Sequence, residues 1–141
     1  FKEIPSPCYV LEEEKFIKNL EILDSIQKQS GAKILLALKG YALWRSFEIA
    51  KKYLSGVTAS GLHEAKLGYE TFGGEITTFS PSYKKEEMQE LVKISNHIIF
   101  NSFVQWQTFK PMIDEANKMR ESKIEVGLRV NPLYIEVTPE I

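Results

Sequence analysis

Strand-like runs begin near residues 33, 56, 76, 97 and 124 of this chain, and helical spacing fills the stretches between them. That alternation is its strongest constraint. Consecutive strands separated by a helix cannot be joined as hairpins, so they pair in parallel through right-handed crossovers. Lys33-Ile34-Leu35-Leu36-Ala37-Leu38-Lys39-Gly40 holds five apolar residues in a row, which reads as a strand covered on both faces. An unpaired buried ammonium is costly, yet burial also lowers a lysine's pKa and makes it a usable amine nucleophile. Lys39, directly after that run, is either a strand-end lysine with its stem along the edge or a reactive one.

In chain order, Ser6-Pro7-Cys8-Tyr9-Val10-Leu11 reads as a short extended segment. Phe16, Leu20, Leu23 and Gln27 share a helical face that Gly31 closes. Leu43, Phe47, Ala50 and Leu54 predict a second helix, and Leu62, Ala65, Tyr69 and Phe72 a third, stopped by Gly73-Gly74. Met88, Leu91, Val92 and Ser95 mark the fourth. Trp106, Phe109, Ile113 and Ala116 mark the fifth, which Pro111 should kink or split near Lys110. The strands between them are Val57–Ser60, Ile76–Phe79, His97–Asn101 and Lys123–Val130. Five such units fit an open doubly wound sheet or five-eighths of a (β/α)₈ barrel. The first strand–turn–helix lacks both GxGxxG and GxxxxGK[ST], so a nucleotide-phosphate loop is unsupported.

Either architecture gathers chemistry at the C-terminal strand ends. Those ends carry Lys39, Ser60, Ser80, Asn101 with Ser102, and Arg129 with Asn131. The serines have an innocent reading as turn residues and helix caps. Arg129, at the end of an apolar strand, calls for a carboxylate, a phosphate or a ring oxygen. His63 lies early on a helix, where it could face the rim, and His97 begins a strand at the opposite end and is given no role.

Composition narrows the class. With 43% hydrophobic and 26% charged residues and a net charge of −1, nothing points to nucleic acid or an anionic membrane. Cys8 is the one cysteine, so no internal disulfide forms, and no Cys/His spacing suits zinc. No apolar run approaches bilayer length and no signal-peptide pattern opens the chain, so a cytoplasmic protein is expected. The first residue is Phe, and both ends are expected to be cut from something longer.

Four strings carry a resemblance: Leu38-Lys39-Gly40-Tyr41-Ala42, Ala59-Ser60-Gly61-Leu62-His63-Glu64-Ala65-Lys66-Leu67-Gly68, Ser80-Pro81-Ser82-Tyr83-Lys84 and Gly127-Leu128-Arg129-Val130-Asn131-Pro132. With Pro7-Cys8-Tyr9-Val10-Leu11 ahead of them, the chain resembles the fold-type III pyridoxal-phosphate (PLP) enzymes, such as alanine racemase and ornithine and diaminopimelate decarboxylases. Within that group it looks like the carboxynorspermidine (carboxyspermidine) decarboxylases, from about Ser6 to Pro132.

The resemblance implies the first five strands of a (β/α)₈ TIM-type barrel over residues 12–141, preceded by an extended segment, residues 1–11, that belongs to a C-terminal β domain absent from this chain. It implies a homodimer with shared active sites, and PLP-dependent decarboxylation of carboxynorspermidine or carboxyspermidine in polyamine biosynthesis. Lys39 would be the Schiff-base lysine, with Arg129 and Ser60 also at the cofactor and no metal involved. Sibling decarboxylases space the serine and glutamate after the second strand by three. Ser60 and Glu64 are four apart, which leaves His63 and Glu64 as rivals. The ring-stacking, phosphate-binding and partner-subunit residues of the family come later than this chain reaches. Other readings are a diaminopimelate- or ornithine-type decarboxylase, a non-catalytic PLP-carrier barrel, or an α/β domain without cofactor.

Overall fold

The computed structural model describes residues 4–134 and 136, so residues 1–3, 135 and 137–141 of the two expected domains lie outside the described residues. Twelve segments follow one another: α1 (Glu13–Ser30), β1 (Leu35–Ala37), a 3₁₀ turn (Trp44–Ser46) running into α2 (Phe47–Ala50), β2 (Gly56–Ala59), α3 (Leu62–Leu67) with a π-helical turn (Gly68–Phe72), β3 (Glu75–Phe79), α4 (Lys85–Ile94), β4 (His97–Phe100), α5 (Phe103–Met119) and β5 (Glu125–Leu128). The strands form one parallel sheet in the order β1-β2-β3-β4-β5. Sequential order with a helix in each crossover is the arrangement of a barrel, not of an open sheet whose order reverses midway.

Burial alternates along the strands and shows which face the helices cover. Val57, Ala59, Ile76, Thr78, Ile98 and Phe100 are buried, while Thr58, Thr77, Phe79, His97 and Ile99 between them are only half-buried. Register aligns the buried set across the strands, Val57 beside Ile76 and Thr78 beside Ile98. All the described helices therefore serve one face. Leu36 pairs in register with Val57 and Leu128 with Phe100, so both lie on the helix side, and Leu38 meets that layer at Gly68. The inner face belongs to their alternating neighbours. Val126 and Leu128 share the helix-side register yet are exposed, and with Phe103 and Trp106 they line an apolar groove of about 250 Å³.

Three helices depart from the expected pattern. The second shortens to a 3₁₀ turn and one α turn, because Ser46 Oγ donates to the Leu43 carbonyl and meets the Tyr41 hydroxyl, holding the entry tight. The third passes into a π turn at Gly68, which shifts its phase. Phe72 reaches the core and Tyr69 is left exposed. Gly68 is needed there, since a Cβ would stand 2.3 Å from Val57 Cγ2. The fifth is not split by Pro111 but runs on from Phe103 to Met119. Pro111 and Gln107 both lie on the exposed side, where water can take the carbonyl that proline leaves unbonded.

Two side chains tie the layers locally. Gln27 of α1 accepts from the Ile34 N–H and the Ser55 hydroxyl and donates to the Tyr53 carbonyl. Asn96 Oδ1 accepts from the Ile76 N–H at the start of β4. Residues 4–12 form no strand, and Tyr9, Val10 and Leu11 are exposed.

Candidate active site at the strand C-termini

The C-terminal strand ends gather the predicted polar groups, and each arrives by ordinary chain geometry. β1 stops at Ala37 because Gly40 and Tyr41 N–H both turn back to the Ala37 carbonyl, which leaves Lys39 in the tight turn beyond the strand. Lys39 is exposed, and among the described residues no carboxylate lies within ion-pair distance of it. Ser60 follows β2; its N–H donates to Glu64 Oε2 at 2.8 Å, so Glu64 closes the first turn of α3 and is occupied there. His63 remains exposed beside it.

Ser80 follows β3, where its hydroxyl donates to the Ser82 carbonyl and its N–H donates to Tyr83 Oη. Ser102 accepts from the Gln105 N–H and is a helix cap, as the innocent reading had it. Ser60, His63, Glu64, Ser80, Ser82 and Glu87 line a cleft of about 410 Å³ between the ends of β2 and β3. Lys39 and Arg129 do not line that cleft.

Arg129 continues the ladder past β5, its N–H donating to the Phe100 carbonyl at 2.9 Å. Its guanidinium carbon lies 5.2 Å from the centroid of the Phe79 ring. Phe79 belongs to the inner face, so the cation reaches back across β4 over the mouth of the sheet. Gly127 contributes to this: a Cβ there would meet Ile99 Cδ1 at 2.6 Å, so Ile99 leans over the glycine. The cleft between β2 and β3 carries the carboxylates of Glu64 and Glu87 beside its hydroxyls, so the cations that suit an anionic ligand at this rim are Lys39 and Arg129, outside it.

Sequence reasoning missed the opposite end. His97 lies between two carboxylates, Nδ1 3.0 Å from Glu75 Oε1 and Nε2 3.2 Å from Glu125 Oε2, with Lys33 2.6 Å from the other Glu75 oxygen. Burial raises the pKa of the Glu75 carboxyl, but its hydrogen bond to Lys33 and the neighbouring His97 outweigh this and hold it below the usual carboxylate value. Only strand register brings these groups together, and register cannot be read from residue spacing. Among the described residues no group of three or more His, Cys, Asp or Glu is placed to hold a metal ion. No described helix is long and apolar enough to cross a membrane. A wide cleft of about 860 Å³, lined by Trp44, Tyr69 and Phe72 among others, is on the helix side, away from the strand ends.

Three curated relatives that this chain matches are decarboxylases. One is a carboxynorspermidine/carboxyspermidine decarboxylase of Campylobacter jejuni, 41% identical over 134 residues, which are 95% of this chain and 35% of the relative. Another is a carboxyaminopropylagmatine decarboxylase of Synechocystis, 36% identical over 138 residues, 98% of this chain and 34% of the relative. The chain thus spans about a third of the length of the curated relatives it matches. The crystal structure of carboxynorspermidine decarboxylase complexed with norspermidine, from Campylobacter jejuni, superposes with a TM-score of 0.75 and 47% identity over 77% of this chain and 29% of that one. A D-threonine aldolase from Filomicrobium marinum gives a TM-score of 0.72 at 13% identity over 91% of this chain and 35% of that one, a likeness of fold alone. No family model matches. The resemblance read from the four strings is borne out by the names of these relatives.

Proposed function

We propose that this chain is the lysine-bearing part of a PLP-dependent decarboxylase acting on a carboxylated polyamine, carboxynorspermidine or carboxyspermidine. The observation that carries the reading is Lys39, an exposed amine just beyond the C-terminal end of β1 with no carboxylate within ion-pair distance among the described residues, at the strand-end rim where Arg129 also lies. The residues fit the cofactor: an amine for its aldehyde at Lys39, a cation for its ring oxygen at Arg129, and a hydroxyl at Ser60. PLP, when bound, supplies the electron sink for the carbanion left as carbon dioxide departs.

The chain's own residues do the rest. Lys39 would present its amine at the mouth, where it could bind the cofactor's aldehyde and hold or return a proton. Arg129 would offer fixed positive charge to the substrate's carboxylate or the cofactor's ring oxygen, and Ser60 a hydrogen-bond donor at the end of β2. The exposed groove at Val126 and Leu128, and the half-open inner face, fit a sheet that continues into further strands and helices. We therefore read residues 12–141 as five units of a longer barrel, and residues 1–11 as an extended arm that joins a separate β domain. A cytoplasmic homodimer with shared active sites completes the proposal.

The test uses the full-length protein. Borohydride reduction should fix PLP covalently to the Lys39 peptide, and Lys39→Ala should abolish both this label and carbon dioxide release by at least a thousandfold, on the order expected for loss of a covalent catalyst. Turnover retained in Lys39→Ala would remove the residue from this role. Side-by-side kcat/KM for carboxynorspermidine, carboxyspermidine, carboxyaminopropylagmatine and diaminopimelate decides the substrate. A comparable value for diaminopimelate would reassign the subfamily.

A further inference from the structure

The arginine over the mouth is aimed by an aromatic ring, and that ring is itself clamped. Phe79 ends β3 on the inner face, with Arg129 Cζ 5.2 Å from its ring centroid. One phenol grips the backbone on both sides of Phe79. Tyr83 Oη accepts from the Ser80 N–H at 2.9 Å and lies 3.1 Å from the Thr78 carbonyl and 3.0 Å from the Ile99 carbonyl in the neighbouring strand. Having one proton, it donates to one carbonyl at a time. The Tyr83 ring is buried edge-on against Phe100 at 5.6 Å and Phe109 at 6.5 Å. Burial pushes the phenol far above its ordinary value, so the donor stays protonated throughout the range in which the protein works.

An exposed arginine stem samples many rotamers, and freezing it on binding costs affinity. A π face beneath the guanidinium removes part of that cost beforehand. We propose that Phe79 and Tyr83 are positioning residues for Arg129: Tyr83 fixes the last peptide units of β3, and Phe79 presents the ring that holds the guanidinium over the mouth. Neither is a catalytic residue, since both act through Arg129. The proposal rests on the reading above that Arg129 faces the cofactor.

The experiment titrates PLP into the full-length apoenzyme, following cofactor fluorescence and the visible circular dichroism of the bound form. Phe79→Leu should weaken binding about two- to fivefold, the span expected for one exposed cation–π contact, and change the dichroism. Phe79→Tyr should match wild type, and Tyr83→Phe should shift both readouts in the same direction as Phe79→Leu. In an Arg129→Met background, neither substitution should have any further effect. A fluorinated phenylalanine at 79 keeps the ring's shape while emptying its π face, so it reports even if Phe79→Leu folds poorly. Additive effects with Arg129→Met, or a silent fluorinated ring, overturn the proposal. A wild-type protein that takes up no PLP overturns the functional reading instead, which keeps the two failures apart.

Discussion

Gly56→Ala in the full-length protein should be among the most damaging single-methyl additions to this sheet. Gly56 pairs with Glu75 in register, and a Cβ on it would lie 2.0 Å from the Glu75 carbonyl oxygen, 2.5 Å from its nitrogen and 2.7 Å from its carbonyl carbon. Ordinary contact needs about 3.4 Å, so β2 and β3 must part by roughly 1 Å, and backbone cannot swing aside as a side chain can. Overpacking of this kind costs about 1–3 kcal/mol. The Glu75 N–H to Ser55 carbonyl bond beside it, 3.0 Å long, would be stretched as well. One weakened buried hydrogen bond adds about 1 kcal/mol, so the expected loss is about 3 kcal/mol. Urea unfolding measures it as a lower midpoint at unchanged slope. Gly40→Ala is the control: its nearest neighbour would be the Ala37 carbonyl at 3.6 Å, an ordinary contact, and its stability should stay within about 1 kcal/mol of wild type. A Gly56→Ala loss no larger than the control's would refute the close approach of β2 to β3.

Gly68→Ala should cost about 1–3 kcal/mol by driving a methyl into Val57 Cγ2, and Val57→Ala in the same chain should recover part of that loss in a double-mutant cycle. Ser102→Ala removes the hydroxyl that accepts the Gln105 N–H and should cost about 1 kcal/mol in urea unfolding. Because the folded Glu75 carboxyl titrates below its unfolded value, its contribution is complete above the ordinary carboxylate range and is lost as pH falls through the lowered value. Glu75→Gln should therefore cost on the order of 1 kcal/mol at neutral pH and flatten the acid side of the stability profile, and an unchanged acid limb would rule this out.

The alternation of apolar runs and helical spacing was enough to make the sheet parallel, but a doubly wound sheet and a barrel share it, and only the resemblance of the four strings favoured the sequential order that the structure has. Lys39, Ser60, Ser80 and Arg129 were legible as rim residues because a strand's end is local information. What stayed hidden depends on pairing. Phe79 reads as one more β-rich aromatic until β5 brings Arg129 above it. His97 looks idle until Glu75 and Glu125 lie beside it. The π turn at Gly68 was invisible because the spacing of Leu62, Ala65, Tyr69 and Phe72 is ordinary α-helical, and packing against Val57 decided otherwise.

The His97 cluster has a bearing on how the strands find their alignment. A slip of one residue turns every side chain to the wrong face, and burial penalises it at once. A slip of two keeps each residue on its proper face, so the apolar pattern hardly discriminates against it. Such a slip of β4 against both neighbours would carry His97 about 6.6 Å along them, beyond reach of at least one of the two carboxylates it now bridges, Glu75 on β3 and Glu125 on β5. Lys33, ahead of β1, extends the same test to the sheet's first edge through Glu75. The ionic groups at the floor thus penalise a two-residue shift of β4 against both its neighbours, an error that hydrophobic burial lets pass.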